Sequence, residues 1–327
     1  MTQLWDVLSH GIRGVFPLSW RCGAVALVVL SLGATRLAAA PDAKAIRLIM
    51  VADRQTAQDI LQQLQRGASF SALAHAKSMG AEASQWGYGG IVRLNEVHPA
   101  LRAALLKLQE GQVSDVLELG SQFVIVKVIA PQIAQHLDAA ERAAQEDKVP
   151  QATQELQAAL RLEADNVEAY IKLGLLQQRA KQFDEAIRTI EKAQQYSPQE
   201  AQMVLLVASA YTHAAIEGKQ AAQAEKAIQA FQRVLQLDER YAPAAHFGMG
   251  KIYLRALQQP ETALGHLEKA AEAPTSVAEV YYLLIQTYYD TKRYEQAWQS
   301  LRRAQELGFE FPDLLATLQK VKQHSQR

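Results

Sequence analysis

The side chains best able to do chemistry are few and scattered along this chain. Its one cysteine, Cys22, excludes an internal disulfide framework, and no paired Cys-His spacing suits a metal ion. His246 and His266 fall on different predicted helices without partners at ligand spacing. No Ser-His-Asp arrangement stands out. Gly87-Tyr88-Gly89-Gly90 is glycine-rich, but it follows no predicted strand and leads into no helix, the setting a phosphate cradle requires. Neither a metal nor any other cofactor is therefore expected. Lys and Arg number 34 and Asp and Glu also 34, with no long basic run, so nothing electrostatic points to nucleic acid. With 327 residues, 49% apolar and 21% charged, the chain has room for two ordinary domains. Whatever it does must come from surfaces that folded elements assemble.

Residues 46–51, IRLIMV, read as a short strand, and Asp53 is placed to cap the helix that follows. Ala57, Ile60, Leu61 and Leu64 recur at helical spacing, and Gly67 ends that helix. A second helix, with Phe70, Leu73 and Ala74, runs to about Ser78. Residues 80–90, rich in Gly, Ser and Ala, are expected to be loop. A third helix covers residues 99–108, with Leu101, Leu105 and Leu108 on one face, and Gly111 stops it. Residues 113–119 and 122–129 then read as two strands of a hairpin joined at Gly120-Ser121.

Three of these segments resemble the parvulin family of peptidyl-prolyl isomerases over residues 46–129. Gly67-Ala68-Ser69-Phe70-Ser71-Ala72-Leu73-Ala74, with Ser78 beyond, is similar to that family's G-x-x-F-x-x-L-A-x-x-x-S helix junction. Residues 108–114, LQEGQVS, resemble its helix-stop-strand segment, and residues 122–128, QFVIVKV, its final strand. The resemblance implies an α+β fold and, in an active member, catalysis of rotation about a peptide bond whose barrier is about 18–20 kcal/mol. It also implies a histidine on the first strand, a histidine on the last strand and a central aspartate or cysteine. The matching positions are Leu48, Val124 and Tyr88. Leucine and valine side chains have no donors or acceptors, so that network cannot form here. The apolar proline pocket implied by the family uses a Met and a Phe four residues apart; Val97 and Leu101 match them, and Phe123 is a further pocket candidate. His75 and His98 do not replace the missing pair and read as structural or solvated.

The rest of the chain repeats itself. Ala152, Ala186, Ala227, Ala263 and Ala297 each open the second helix of a predicted helical pair, 34, 41, 36 and 34 residues apart. Four residues after each stands a larger apolar side chain: Leu156, Ile190, Phe231, Leu267 and Leu301. Ala159, Ala193, Val234, Ala270 and Ala304 complete the template. A period near 34 residues of paired helices is the signature of tetratricopeptide repeats. First helices carry Tyr170, Leu173 and Gly174, then Met249, Gly250 and Tyr253, then Tyr281, Leu284 and Tyr288. The first pair, residues 136–164, is alanine-rich, as suits a hairpin abutting the smaller domain. The seven extra residues before Ala227 predict a longer turn. Pro312 and the stripe Leu314, Leu315, Leu318 and Val321 read as a capping helix, which an open-ended stack needs for solubility.

The expected architecture is thus multidomain: an α+β parvulin-like domain at 46–130, an all-α tetratricopeptide-repeat solenoid at 133–310, and a cap at 311–327. Resemblance to such arrays implies a peptide groove along the first helices, with Ile171, Leu175, Leu205, Phe247, Lys251, Tyr282, Gln286 and Tyr289 as its candidates. Ile171 and Leu175 occupy the places where carboxylate-clamping arrays carry polar residues, so that mode is not expected. Residues 22–34, CGAVALVVLSLGA, form a 13-residue uncharged run preceded by Arg13 and Arg21. A membrane span needs about 20 residues, so residues 1–45 read as a secretory signal, with an uncleaved inner-membrane anchor as the alternative. The expected partners are other proteins or unfolded polypeptides outside the cytoplasm, in the periplasm. Two functions remain open: a binding protein of chaperone or assembly type, or an active prolyl isomerase whose repeats recruit clients.

Overall fold

In the computed structural model, which describes residues 42–273 and 277–325, β1 (Ala43–Val51) is the central strand around which the first domain is built. The export segment read at residues 22–34 lies outside the described residues. Asp53 caps α1 (Arg54–Gln65), its Oδ1 accepting the Thr56 N–H at 2.8 Å. Helix α2 (Phe70–Lys77), a 3-10 turn at Ala81–Gln85, β2 (Tyr88–Arg93), α3 (Pro99–Lys107), β3 (Leu117–Leu119) and β4 (Gln122–Ile129) follow. The four strands are antiparallel in the order β2-β1-β4-β3.

Two expectations need correction. Residues 80–90 are not all loop, because Trp86 (φ 54°) and Gly87 (φ 78°) turn the chain into β2 at Tyr88. Glycines hide that strand from a pattern reading, and at Gly89 the space for a side chain is tight. A Cβ on it would lie 3.0 Å from Leu48 Cδ2 and 3.1 Å from Ile46 Cγ1. The strand expected at 113–119 is also shorter. Val113 makes only an isolated bridge to Lys127, and regular pairing is confined to Leu117–Leu119.

Period-two alternation divides the sheet into two faces. One carries Ile46, Leu48, Val124, Val126 and Val128 and packs on Val97, Leu101 and Leu105 beside α3. The other carries Ala45, Arg47, Ile49, Val51, Phe123, Ile125, Lys127 and Ile129. Helices α1 and α2 cover its Val51 end through Ala57, Ile60, Phe70 and Ala74.

Its Ala45 end is covered by helices of the second domain. Those helices form five antiparallel pairs: α4 (Pro131–Gln145) with α5 (Val149–Leu162), α6 (Val167–Arg179) with α7 (Phe183–Gln194), α8 (Ala201–Ile216) with α9 (Ala222–Leu237), α10 (Ala242–Arg255) with α11 (Pro260–Ala271), and α12 (Ala278–Asp290) with α13 (Tyr294–Glu306). The final helix is α14 (Pro312–Ser325), which buries Leu318 against the last pair. All five template alanines, from Ala152 to Ala297, are fully buried. The hairpin turns pass through left-handed residues that are not glycine: Asp147, Lys181, Lys219, Gln258 and Lys292. The extra residues before Ala227 lengthen α8 and α9 to 16 residues each, against 13 in α6 and 12 in α7, as well as extending the turn.

Candidate functional site

The positions matched to the isomerase network do not converge. Leu48 and Val124 share one sheet face and join Val97 and Leu101 in a single apolar cluster with Ile46, Val92, Leu105 and Val126. Val97 is 6% exposed and Leu101 2%, so the pair matched to the proline pocket is packed core, not cavity wall. The adjoining hydroxyl of Ser114 is taken up by the Val126 N–H at 3.0 Å. Tyr88 and Phe123 face the other way, because Tyr88 pairs with Arg47 and Phe123 with Val51 in the sheet register. Phe123 packs with Ile49, Val51 and Ile60 and lies under the Arg54 guanidinium, 5.2 Å from its ring centre. It therefore does not belong to the proline pocket. Tyr88 is packed against the first repeat, where burial, with Asp138 and Glu168 nearby, pushes its phenol well above the ordinary range. It cannot stand in for a central aspartate beside Leu48.

The sheet's second face holds the residues that pattern reading missed. Arg47 is fully buried and directly opposite Lys127 across the β1–β4 register. Two like charges in that relation destabilise a sheet unless a counter-charge arrives. Glu163, at the end of α5, supplies it. Arg47 Nη2 donates to Glu163 Oε2 at 3.0 Å and its Nε to both oxygens at 3.2 and 3.3 Å, while Lys127 Nζ reaches Oε1 at 3.0 Å. Arg47 Nη1 donates to the Trp86 carbonyl at 2.8 Å, and Asn166 Nδ2 to Glu163 Oε2 at 2.9 Å. Burial alone would raise the Glu163 carboxyl, but Arg47 and Lys127 outweigh it and hold it below the usual value. The available signal was an arginine inside the apolar run Ile46-Arg47-Leu48-Ile49, a charge aimed at the interior.

Two serines of the α1–α2 junction act at the same seam. Ser69 and Ser71 donate to the Asp165 carbonyl at 2.9 and 3.1 Å, and Ser71 Oγ accepts the Val167 N–H at 3.2 Å. That N–H opens α6 and has no partner within its own helix. His75, read as structural or solvated, stacks on Trp86 at 4.0 Å and places Nε2 3.2 Å from Gln202 Oε1 on α8. His98 lies at the start of α3, where its Nδ1 accepts the Ala100 N–H.

The expected groove residues divide by environment. Ile171 is half-buried in a cluster with Ala72 and Trp86 of the first domain, and Leu205 packs into the core of the middle repeats. Leu175 and Gln286 are half-buried. Phe247 packs against the last repeats with the Lys251 ammonium 5.1 Å from its ring centre, and Lys251 also pairs with Glu279 of α12 at 3.5 Å. Tyr282 is 39% exposed and meets Phe311 edge-on. Tyr289 packs edge-on against Tyr294 in the turn to α13. Tyr282 therefore stays exposed on the strip of first helices where Phe247 and Lys251 are half-buried, whereas Ile171 is partly covered by the small domain.

His246 and His266 correct the reading from spacing. The α10–α11 pairing brings their Nδ1 atoms to 3.0 Å, and Tyr253 stacks on His266. Burial, with Lys269 nearby, holds both imidazoles below their usual value; mutual repulsion adds to this at His266. Among the described residues no three His, Cys, Asp or Glu side chains form a metal-holding group.

Comparison with known proteins agrees with this geometry. Residues 43–130 match the family model of the PPIC-type PPIASE domain, and residues 167–200 match a tetratricopeptide repeat. The chain is 35% identical over 82 residues to the Chaperone SurA of Cupriavidus pinatubonensis, covering 25% of this chain and 16% of the relative. It therefore spans about a sixth of that relative's length. Among solved structures, a PpiC-type peptidyl-prolyl cis-trans isomerase domain aligns at 26% identity, covering 27% of this chain and 88% of its own, with a TM-score of 0.26. A thermophilic TPR protein of Thermus thermophilus aligns at 18% identity, covering 57% of this chain and 97% of its own, with a TM-score of 0.45. By the two family models, the chain joins a PpiC-type domain to tetratricopeptide repeats.

Proposed function

We propose that this protein binds other polypeptides, as a chaperone or assembly factor acting outside the cytoplasm, and that its PpiC-type domain serves as a fused structural and binding module without isomerase chemistry. One observation carries the reading. The sheet face on which the family's polar groups would stand presents Leu48 and Val124 inside a sealed apolar cluster. Lowering a barrier of about 18–20 kcal/mol requires polar groups around the imide and a pocket for the proline ring, and that face offers neither. A repeat array with an accessible first-helix strip, and the chaperone title of the partial relative, support polypeptide partners. The apolar run at residues 22–34 supports a periplasmic location.

The test is a proline-peptide isomerisation assay on the full chain, alongside binding of a permanently unfolded polypeptide. The expected result is isomerisation at the uncatalysed rate with measurable binding of the unfolded chain. A rate that rises in proportion to the concentration of purified protein would overturn the reading, and so would failure to bind the unfolded chain.

A further inference from the structure

A shallow, open cleft of about 370 Å³ lies between the second helices of the first two hairpins. Gln157, Leu160, Arg161 and Ala164 supply one wall at helical spacing from α5 and its end, Lys192 of α7 the other, and Tyr170 of α6 the floor. Its volume is at the lower end of ligand sites, which run from about 300 to 1,000 Å³.

The chemistry of the lining is lopsided. Arg161 and Lys192 are both exposed, and neither has a carboxylate partner among the described residues. Lys192 instead stands over the Tyr170 ring, 5.3 Å from its centre. That ring is stacked on Tyr196, whose hydroxyl donates to the Ala164 carbonyl at 2.9 Å, so the floor is held rigid from below. Asp165, which follows Ala164 in the chain, lies 3.7 Å from Lys127 on the small domain. Two unpaired cations thus flank an aromatic floor with an aliphatic wall at Leu160. An anionic group beside an apolar side chain complements all three surfaces at once. The guanidinium fork offers two parallel donors to a carboxylate, and the ammonium adds a second charge across the cleft.

We propose that this cleft binds a polypeptide segment carrying a carboxylate next to an apolar residue, as a second client site distinct from the first-helix strip. The proposal rests on the polypeptide-binding reading above. It places recognition of acidic segments on the second helices, while the first-helix strip offers Phe247 and Tyr282 to apolar ones.

Fluorescence anisotropy on the full chain tests it, with three probes. They are a short peptide containing Glu beside Leu, its Gln isostere, and a permanently unfolded polypeptide. Wild-type protein is expected to bind the Glu peptide more tightly than the Gln peptide, with the preference falling as salt rises. The double variant Arg161→Glu, Lys192→Glu, both side chains being exposed, is expected to bind the Glu peptide about tenfold more weakly. Its binding of the unfolded polypeptide through the other strip is expected to persist. Equal affinity for the Glu and Gln peptides, or a double variant that binds the Glu peptide as wild type does, overturns this site while leaving the general reading standing. Absence of all binding by wild-type protein overturns both.

Discussion

Glu163 shows how a single carboxylate can decide the relation between two domains. Its partners Arg47 and Lys127 sit side by side on the sheet, and Arg47 has no exposure to water. Burying such charges is costly, and removing one partner strands the others at a cost of about 3–5 kcal/mol. Glu163→Gln keeps the shape and removes the charge, so chemical denaturation at neutral pH is expected to show a loss of that order. The pH dependence follows from the direction of the shift. Although burial favours the protonated form, Arg47 and Lys127 hold the folded carboxyl below its ordinary value of 4.5. The unfolded chain then binds the proton more readily than the folded one. The contribution is complete above pH 4.5 and is lost as pH falls from there through the folded value. Stability curves between about pH 6 and 3 are expected to fall less steeply for Glu163→Gln than for wild type. Parallel curves would remove Glu163 from the account.

At the scale of elements, the repeats depend on small residues where helices touch, and the glycines are not equivalent. A Cβ on Gly248 of α10 would lie 2.1 Å from Phe231 Cζ and 2.6 Å from two neighbouring ring atoms of α9. Nothing lies within 4 Å of a Cβ built on Gly265 of α11. Alanine is favoured over glycine in a helix by about 1 kcal/mol. Gly265→Ala is therefore expected to raise stability by up to about that amount. Gly248→Ala must displace a buried ring, and overpacking of this kind costs about 1–3 kcal/mol, more than the helical gain. Thermal melts of the two variants are expected to move in opposite directions; a Gly248→Ala protein that melts higher than wild type would show that the α9–α10 contact can yield. Spacing alone marked Gly174 and Gly250 as contact positions, since both recur in the repeat template. Gly248 was not marked, because its need arises from a ring on the preceding hairpin.

For the whole molecule, the small domain and the first repeat behave as one packed body. Ala45 and Ile129 of the sheet share a core with Ile133, Leu137 and Leu156, and Tyr88 and Ile91 pack against it. An excised fragment of residues 42–130 would expose that apolar end and leave Arg47 and Lys127 without Glu163. Such a fragment is expected to unfold at lower denaturant than the full chain or to aggregate. In the full chain, hydrogen exchange is expected to protect β1, β4 and α5 to similar free energies. A fragment as stable as the intact protein would show that the seam contributes nothing to folding.

Periodicity in the sequence was enough to determine the repeat array and most helix positions, and the motifs at residues 67–78, 108–114 and 122–128 implied the α+β domain before it. Those follow from local patterns: alanines about 34 residues apart, apolar side chains at helical spacing, and strands that alternate. That Leu48 and Val124 carry no donor or acceptor was legible from residue type alone. Which face each side chain meets was not legible. The resemblance groups Tyr88 with Leu48 and Val124, and Phe123 with Val97 and Leu101, but sheet register turns both aromatic rings to the opposite face. His246 and His266, 20 residues apart, meet only because α10 and α11 fold back on each other. Arg47 and Glu163 are 116 residues apart, and no local pattern joins them. Only the tertiary structure could bring those charges together, because a buried charge must meet its counter-charge wherever the fold delivers it, not where the sequence is near.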